Sequence, residues 1–318
     1  VWARDLKSHG AAKDRAKRAI EEKDSYKWLV GLRQAEAAVE EGQSLLVIGD
    51  RGSDIYELFA EPRRAGTDLL IRANQNRKLV SDEHRLLMDA VTSSDELGRY
   101  TLDVPRRGSD KARKTVMSVR AKKVIVKRPR SSGDEGVPLF CVWATELKAP
   151  DKGKPLDWVL LTSLPVESLD DALYVINAYA CRWVIEDFHK VLKSGCKVER
   201  LQVATLDSLL PAIALMSVVA WRVLYLSRES RRIPDADASK VCSKLEIEVL
   251  EKCLKMRKER HYRIKTIHDF VRGVAILGGF MARKSDGPPG PKTIWQGLRR
   301  FEDLVAGYEL SLLNVMKD

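Results

Sequence analysis

The 318-residue chain predicts a mixed α/β (α+β) fold with a mainly helical carboxyl-terminal region. Three features carry that expectation. Two short, wholly apolar runs within helix-favouring sequence have the length of buried strands. A stretch from about 95 to 165 alternates and is rich in β-branched residues. From about 166 onward the pattern is helical almost to the end.

The chain opens on Val1 and enters at once a charged segment, AAKDRAKRAIEEKDSYKWLVGLRQAEAAVEE, which reads as helix with a break near Gly31 and as a cut start. SLLVIGD, residues 44–50, follows as a buried strand ending in Asp50, at a strand's carboxyl end where open α/β sheets place ligand and catalytic groups. RGSDIYELFAEPRR reads as a turn and a helix, with Asp54 and Glu57 at capping-box spacing. TDLLIRAN, residues 67–74, is a second buried strand. TVMSVRAKKVIVK, PLFCVWATEL and LDWVLLTS then form a mainly antiparallel insertion. SLDDALYVINAY through Lys193 reads as one long helix capped by Ser168 with Asp171 three residues on. The helical remainder is interrupted at Gly278 and Gly279 and by the loop DGPPGP at 286–291. The domains expected are 1–94, a core; 95–165, the β-rich insertion; 166–230, a core helix with the helices after it; and 231–318, a helical carboxyl-terminal region.

A net charge of +11 and a pI near 9.4 suggest a polyanionic partner, nucleic acid foremost. No uninterrupted apolar run reaches 18 residues, which argues against a membrane span. Five cysteines, an odd number without a CxxC pair, read as a reduced cytosolic protein, and the five scattered histidines suggest no zinc site. His189 reads as structural. Between Arg106 and Arg130, eleven Lys or Arg stand against the single acid Asp110. Such a run is either a solvated face or a phosphate track whose affinity falls steeply with salt.

The segment YACRWVIEDFHKVLK, residues 179–193, gathers the most chemistry. On a straight helix Tyr179, Arg182, Glu186, Lys190 and Lys193 fall within a sector of roughly 80°. Val184, Ile185, Phe188, Val191 and Leu192 form an apolar arc on the other side. A surface helix with an Arg182–Glu186 ion pair has the same pattern. Yet the spacing of Tyr, Arg, Glu and Lys resembles the signature of bacterial insertion-sequence transposases of the IS4 group, to which the Tn5 transposase belongs. IGDRGSDIYELF resembles the motif of that family's second aspartate, WVLLTSLPVESLDDALYVINAYACRWVIEDFHKVLKSG the region of its glutamate, and AILGGFMARK with Trp295 its dimerisation region.

The resemblance implies a partial RNase H-like core with a β-rich insertion before the glutamate helix. It implies that Asp50 and Glu186 are catalytic carboxylates and metal ligands for Mg²⁺ or Mn²⁺, two ions in the complete family site, in keeping with the hard-cation chemistry of two-metal phosphoryl transfer. Tyr179, Arg182 and Lys193 would grip phosphates of the transposon end, with Lys190 beside them. Trp158 falls where the family stacks an aromatic on a flipped base, although a core tryptophan fits the same position. Arg72 matches an arginine near the active site, or makes an ordinary salt bridge.

The family also needs a third carboxylate on an earlier strand, and none of Asp5, Asp14 or Asp24 ends a central strand. The expectation is therefore an amino-terminally truncated and impaired copy, with an unpaired sheet edge and without the domain that recognises the transposon end. Three functions compete: a DNA transposase that cuts element ends and joins them to target DNA, a non-catalytic DNA-binding or dimerising inhibitor of the intact enzyme, and a metal-dependent nuclease with another substrate. The partners implied are DNA and a second copy of the chain, in the bacterial cytoplasm at the nucleoid, with no membrane.

Overall fold

A computed structural model describes residues 18–315 apart from 82, 105–111, 131–132, 149, 151–153, 204, 258, 260–262 and 284–285. The chain divides into two compact units, one ending at Arg182 and one beginning at Trp183. In the first, helix α1 (Tyr26–Ala38) leads to β1 (Leu45–Gly49), α2 (Tyr56–Ala60), β2 (Thr67–Arg72) and α3 (Leu87–Thr92). Strands β3 (Glu96–Val104), β4 (Arg113–Lys127), β5 (Gly136–Glu146) and β6 (Asp157–Thr162) follow, and α4 (Leu169–Ala180) ends the unit.

All six strands form one sheet in the order β1-β2-β6-β5-β4-β3. β1 and β2 run parallel with Gly49 opposite Ile71, and every other pairing is antiparallel. A parallel pair needs a crossover, and α2 supplies it. The expected insertion is thus continuous with the core sheet, because its last strand hydrogen-bonds directly to β2, with Leu161 opposite Ile71. Leu69, Leu70 and Ile71 are fully buried, since Leu69 and Ile71 pack into one core and Leu70 into another. Burial on both faces is why these strands read as unbroken apolar runs.

Three local readings are corrected. Helix α1 runs straight through Gly31, whose side-chain direction meets open space, so glycine there weakens the helix by about 1 kcal/mol without ending it. Asp54 caps nothing: α2 starts after Ile55 with no side-chain cap, and the Asp54 carboxylate is buried. It accepts from Arg77 Nε at 2.6 Å and from the amides of Asn74 at 2.6 Å and Gln75 at 3.1 Å, while Arg77 Nη2 donates to the Asp54 carbonyl at 2.5 Å.

The third correction concerns the long helix, which breaks at Cys181 and Arg182. Its start is as expected, with Ser168 and Asp171 forming a capping box. Helix α4 buries Ala172, Val175, Ile176 and Tyr179. In α5 (Trp183–Lys190) and the π-helical turn Val191–Gly195, the residues packed into a core are Phe188, Val191 and Leu192. Nine residues separate Tyr179 from Phe188, about half a turn out of phase at 100° per residue. The helix breaks where its buried face changes sides.

The second unit continues with α6 (Leu206–Arg232), α7 (Lys244–Met256), α8 (Ile267–Leu277) and α9 (Pro291–Val315). Its core centres on Phe270 set edge-on to Phe301 at 5.9 Å. Helices α8 and α9 approach backbone to backbone, since a β-carbon on Gly278 would strike the Thr293 carbonyl and one on Gly297 the Val274 carbonyl. Helix α6 is long and apolar enough to cross a membrane by length and composition alone. Arg222 interrupts its apolar residues, so no unbroken apolar run of 18 occurs there. One side of α6, with Ala220, Val223 and Leu226, is buried in the core of the unit, while Leu215, Val218 and Trp221 are exposed.

At the end of β5, Glu146 is held by the Arg113 guanidinium, with Nη2 at 3.1 Å from Oε2, and by the Leu156 amide at 2.9 Å. The bond from Arg113 outweighs burial and holds the carboxyl at about 2 instead of 4.5.

Two predictions follow from these buried charges. Arg77→Ala and Asp54→Ala should each cost about 3–5 kcal/mol in urea unfolding, because either leaves an unpaired buried charge, whereas the apolar double variant should lose less than the sum. For Glu146 the folded pKa lies below the unfolded one, so its contribution is complete above about pH 4.5 and fades as pH falls toward 2. Thermal unfolding should show wild type losing up to about 3 kcal/mol more than Glu146→Gln over that window.

Candidate active site

The site begins where β1 ends. Asp50 follows Gly49 directly and is exposed. Its Oδ1 accepts from the Gly52 amide at 2.8 Å, and its carbonyl accepts from Ser53 Oγ at 2.7 Å, which coils Arg51–Ser53 into a 3-10 turn. Gly49 is required there, since a β-carbon would collide with Ser53 Oγ. The turn runs straight into Asp54 and its anchor on Arg77.

Because Gly49 stands opposite Ile71, Asp50 and Arg72 are the next residues on adjacent parallel strands. Arg72 Nη2 donates to the Asp157 carbonyl at 3.0 Å, and the Asp157 carboxylate accepts from Trp143 Nε1 at 2.6 Å. Arg72 therefore reaches a backbone carbonyl in place of the carboxylate that a salt bridge would use. The neighbour of Asp157 is Trp158, half-buried, whose ring meets Tyr179 edge-on at 5.3 Å. One end of the sheet thus collects Asp50, Arg72, Trp158 and Tyr179.

Tyr179 itself is only 3% exposed. The expectation that it faces outward in one stripe with the charged residues is corrected: its ring area is buried in the core beside Trp158, and the helix breaks beyond it. Arg182 lies in that break and is partly buried. In the second unit Glu186 and Lys190 are exposed on α5, and Lys193, in the π-helical turn, has Nζ 3.0 Å from Glu199 Oε1. His189 is exposed, with its ring beside that of Phe188.

The basic segment expected between residues 106 and 130 is described only from 112 onward. Among its cations, Arg113 pairs with the buried Glu146 and Arg120 donates to the Ser94 carbonyl. Others line a cleft with residues 75–81, 85 and 86 that leaves no local trace in the sequence, because its walls lie some forty residues apart in the chain.

Asp50 and Glu186 carry oxygen donors that suit a hard divalent cation. Among the described residues, however, no group of three or more His, Cys, Asp or Glu side chains could hold a metal. Asp50 lies in the first unit and Glu186 in the second, and each would give such an ion one carboxylate. What the first unit does offer is a strand-end carboxylate beside a guanidinium and an aromatic pair, groups suited to phosphate and base contact.

Comparison with known protein families gives two matches. The transposase DDE domain matches residues 29–221, which include Asp50, Arg72, Trp158 and the whole Tyr179–Lys193 segment. The transposase Tn5 dimerisation domain matches residues 218–312, most of the helical unit. With a DDE domain over more than half its length, followed by a Tn5 dimerisation domain, the chain belongs to the Tn5-like DDE transposases of insertion elements.

Proposed function

We propose that this chain acts on the DNA ends of an insertion sequence, with Asp50 and Glu186 as its catalytic carboxylates, cutting at the element end and joining it to target DNA. The observation that carries this reading is the placement of Asp50 at the carboxyl end of β1, beside Arg72, within the match to the DDE domain. Family chemistry of this kind draws on Mg²⁺ or Mn²⁺. The chain's own side chains bind and orient: Arg72, Arg182, Lys190 and Lys193 contact phosphates, and Trp158, backed by Tyr179, offers an aromatic face to an unstacked base. The setting is the bacterial cytoplasm, at the nucleoid.

A second reading, a dimerising inhibitor of the intact enzyme, is supported by α9. Its exposed Leu304 and Leu310 lie within the match to the dimerisation domain, and Leu313 lies one residue beyond it.

The first reading is tested by cleavage of element-end DNA with Mn²⁺. Asp50→Asn and Glu186→Gln should each lower the rate on the order of 100-fold or more, and activity that survives Glu186→Gln overturns the role of Glu186. Arg182→Ala and Lys193→Ala should each reduce the salt slope of end binding by about 0.9; unchanged slopes count against phosphate contact. For the second reading, the chain should inhibit full-length transposase, and Leu310→Glu with Leu313→Glu should relieve that inhibition. These positions are preferable to deleting the tail, which would remove Phe301 from the core of the unit.

A further inference from the structure

Asp157, the first residue of β6, makes two polar contacts on opposite faces of the sheet. Its Oδ1 accepts from Trp143 Nε1 at 2.6 Å, and its carbonyl accepts from Arg72 Nη2 at 3.0 Å. Side chains alternate along a strand. Asp157 therefore shares a face with Val159, which stands opposite Trp143, and both of these pack into the core that holds Leu69 and Ile71. Trp158 and Leu160 belong to the core on the other face, together with Leu70 and Tyr179. Arg72 stands opposite Leu160 and two residues after Leu70, so its side chain leaves on the Trp158 side.

Stability does not call for a carboxylate at this place. Asp157 and its bond to Trp143 are both exposed, and water would serve the indole N–H nearly as well. What the carboxylate adds is a fixed direction, through a short, charge-assisted bond. It clamps the Asp157–Trp158 peptide from one face, and the carbonyl of that peptide holds the Arg72 guanidinium on the other. The Trp158 ring departs from the same peptide and meets Tyr179 edge-on at 5.3 Å.

We propose that Asp157 is a positioning residue that acts through the sheet. Its bond to Trp143 sets the Asp157–Trp158 peptide, and that peptide sets both the Arg72 guanidinium and the Trp158 ring for DNA. Asp157 itself touches no DNA. Groups held in place before binding lose less freedom when a base or phosphate meets them. The inference rests on the base and phosphate contacts of the proposed function and deepens them.

The test compares the affinities of the full chain for two duplexes by fluorescence anisotropy. One carries a single unpaired adenine, and the other an abasic residue at the same position. Partial misfolding lowers both affinities alike and leaves their ratio unchanged. Wild type should favour the unpaired base by about 5-fold or more, and Trp158→Ala should bring the ratio to about one. Asp157→Ala and Trp143→Phe leave Trp158 in the chain, yet each should remove most of the preference. Combined, they should remove no more than either alone, because both break the same bond. Asp157→Asn keeps an acceptor oxygen and should retain most of the preference.

A ratio unchanged in Asp157→Ala or Trp143→Phe, additive losses in the double variant, or a full loss in Asp157→Asn overturns the positioning role alone. A wild type without preference, or a preference that survives Trp158→Ala, overturns the base contact at Trp158 and the positioning role with it. Neither result touches the catalytic carboxylates, which cleavage by Glu186→Gln tests separately.

Discussion

A buried carboxylate and guanidinium, Asp54 and Arg77, tie together the carboxyl ends of two strands that no hairpin connects. Parallel strands leave their exit loops independent of one another, and the loops after β1 and β2 carry the chemistry of the first unit. Removing both charges from water is costly, so the pair persists only because the carboxylate is also satisfied by the Asn74 and Gln75 amides and the guanidinium by the Asp54 carbonyl. Asp50 lies four residues before this anchor, Arg72 five residues before its other half, and the basic cleft begins at Arg77. The turn that carries Asp50 and the segment that leads from β2 to the cleft both end on that bond network.

A second constraint acts on the helix that carries the family's glutamate. Its apolar residues serve a sheet core up to Tyr179 and a helical core from Phe188 onward, and the two sets are half a turn out of phase. The helix is interrupted at Cys181 and Arg182, between these two sets, where the two compact units also divide. Tyr179 stays with Trp158 in the first core, while Glu186, Lys190 and Lys193 belong to the second unit. The polar residues that look like one stripe in the sequence therefore belong to two structural bodies.

Much of the fold was legible in the letters for local reasons. The central LLVI of SLLVIGD and LLI of TDLLIRAN are apolar because side chains on both faces meet a core, fully for Leu69, Leu70 and Ile71 and partly for Leu46, Val47 and Ile48, and Ser168 with Asp171 announces a helix start through bonds made within four residues. The alternation after residue 95 gave the antiparallel strands but not their place in the sheet, since the pairing of Leu161 with Ile71 spans ninety residues and leaves no local trace. Separations of 23 to 33 residues hid the site's supports in the same way. Asp54 sits at capping-box spacing, and only the fold shows that its partner is Arg77. Arg113 and Arg120 read as part of a basic run until Glu146 and the Ser94 carbonyl are brought to them.

By itself the sequence determined the fold class, the positions of the first two strands, the Ser168 cap and the family, because each rests on residue identity at short, fixed spacing: an aspartate ending an apolar run, and Tyr, Arg, Glu and Lys at helical intervals. Tertiary structure alone decided that the β-rich insertion extends the core sheet, that the glutamate helix is broken, that Tyr179 is buried, and that cations from two distant segments share one cleft. Burial, ion-pair partners and helix phase depend on what packs against a residue, and for these residues the neighbours come from distant parts of the chain.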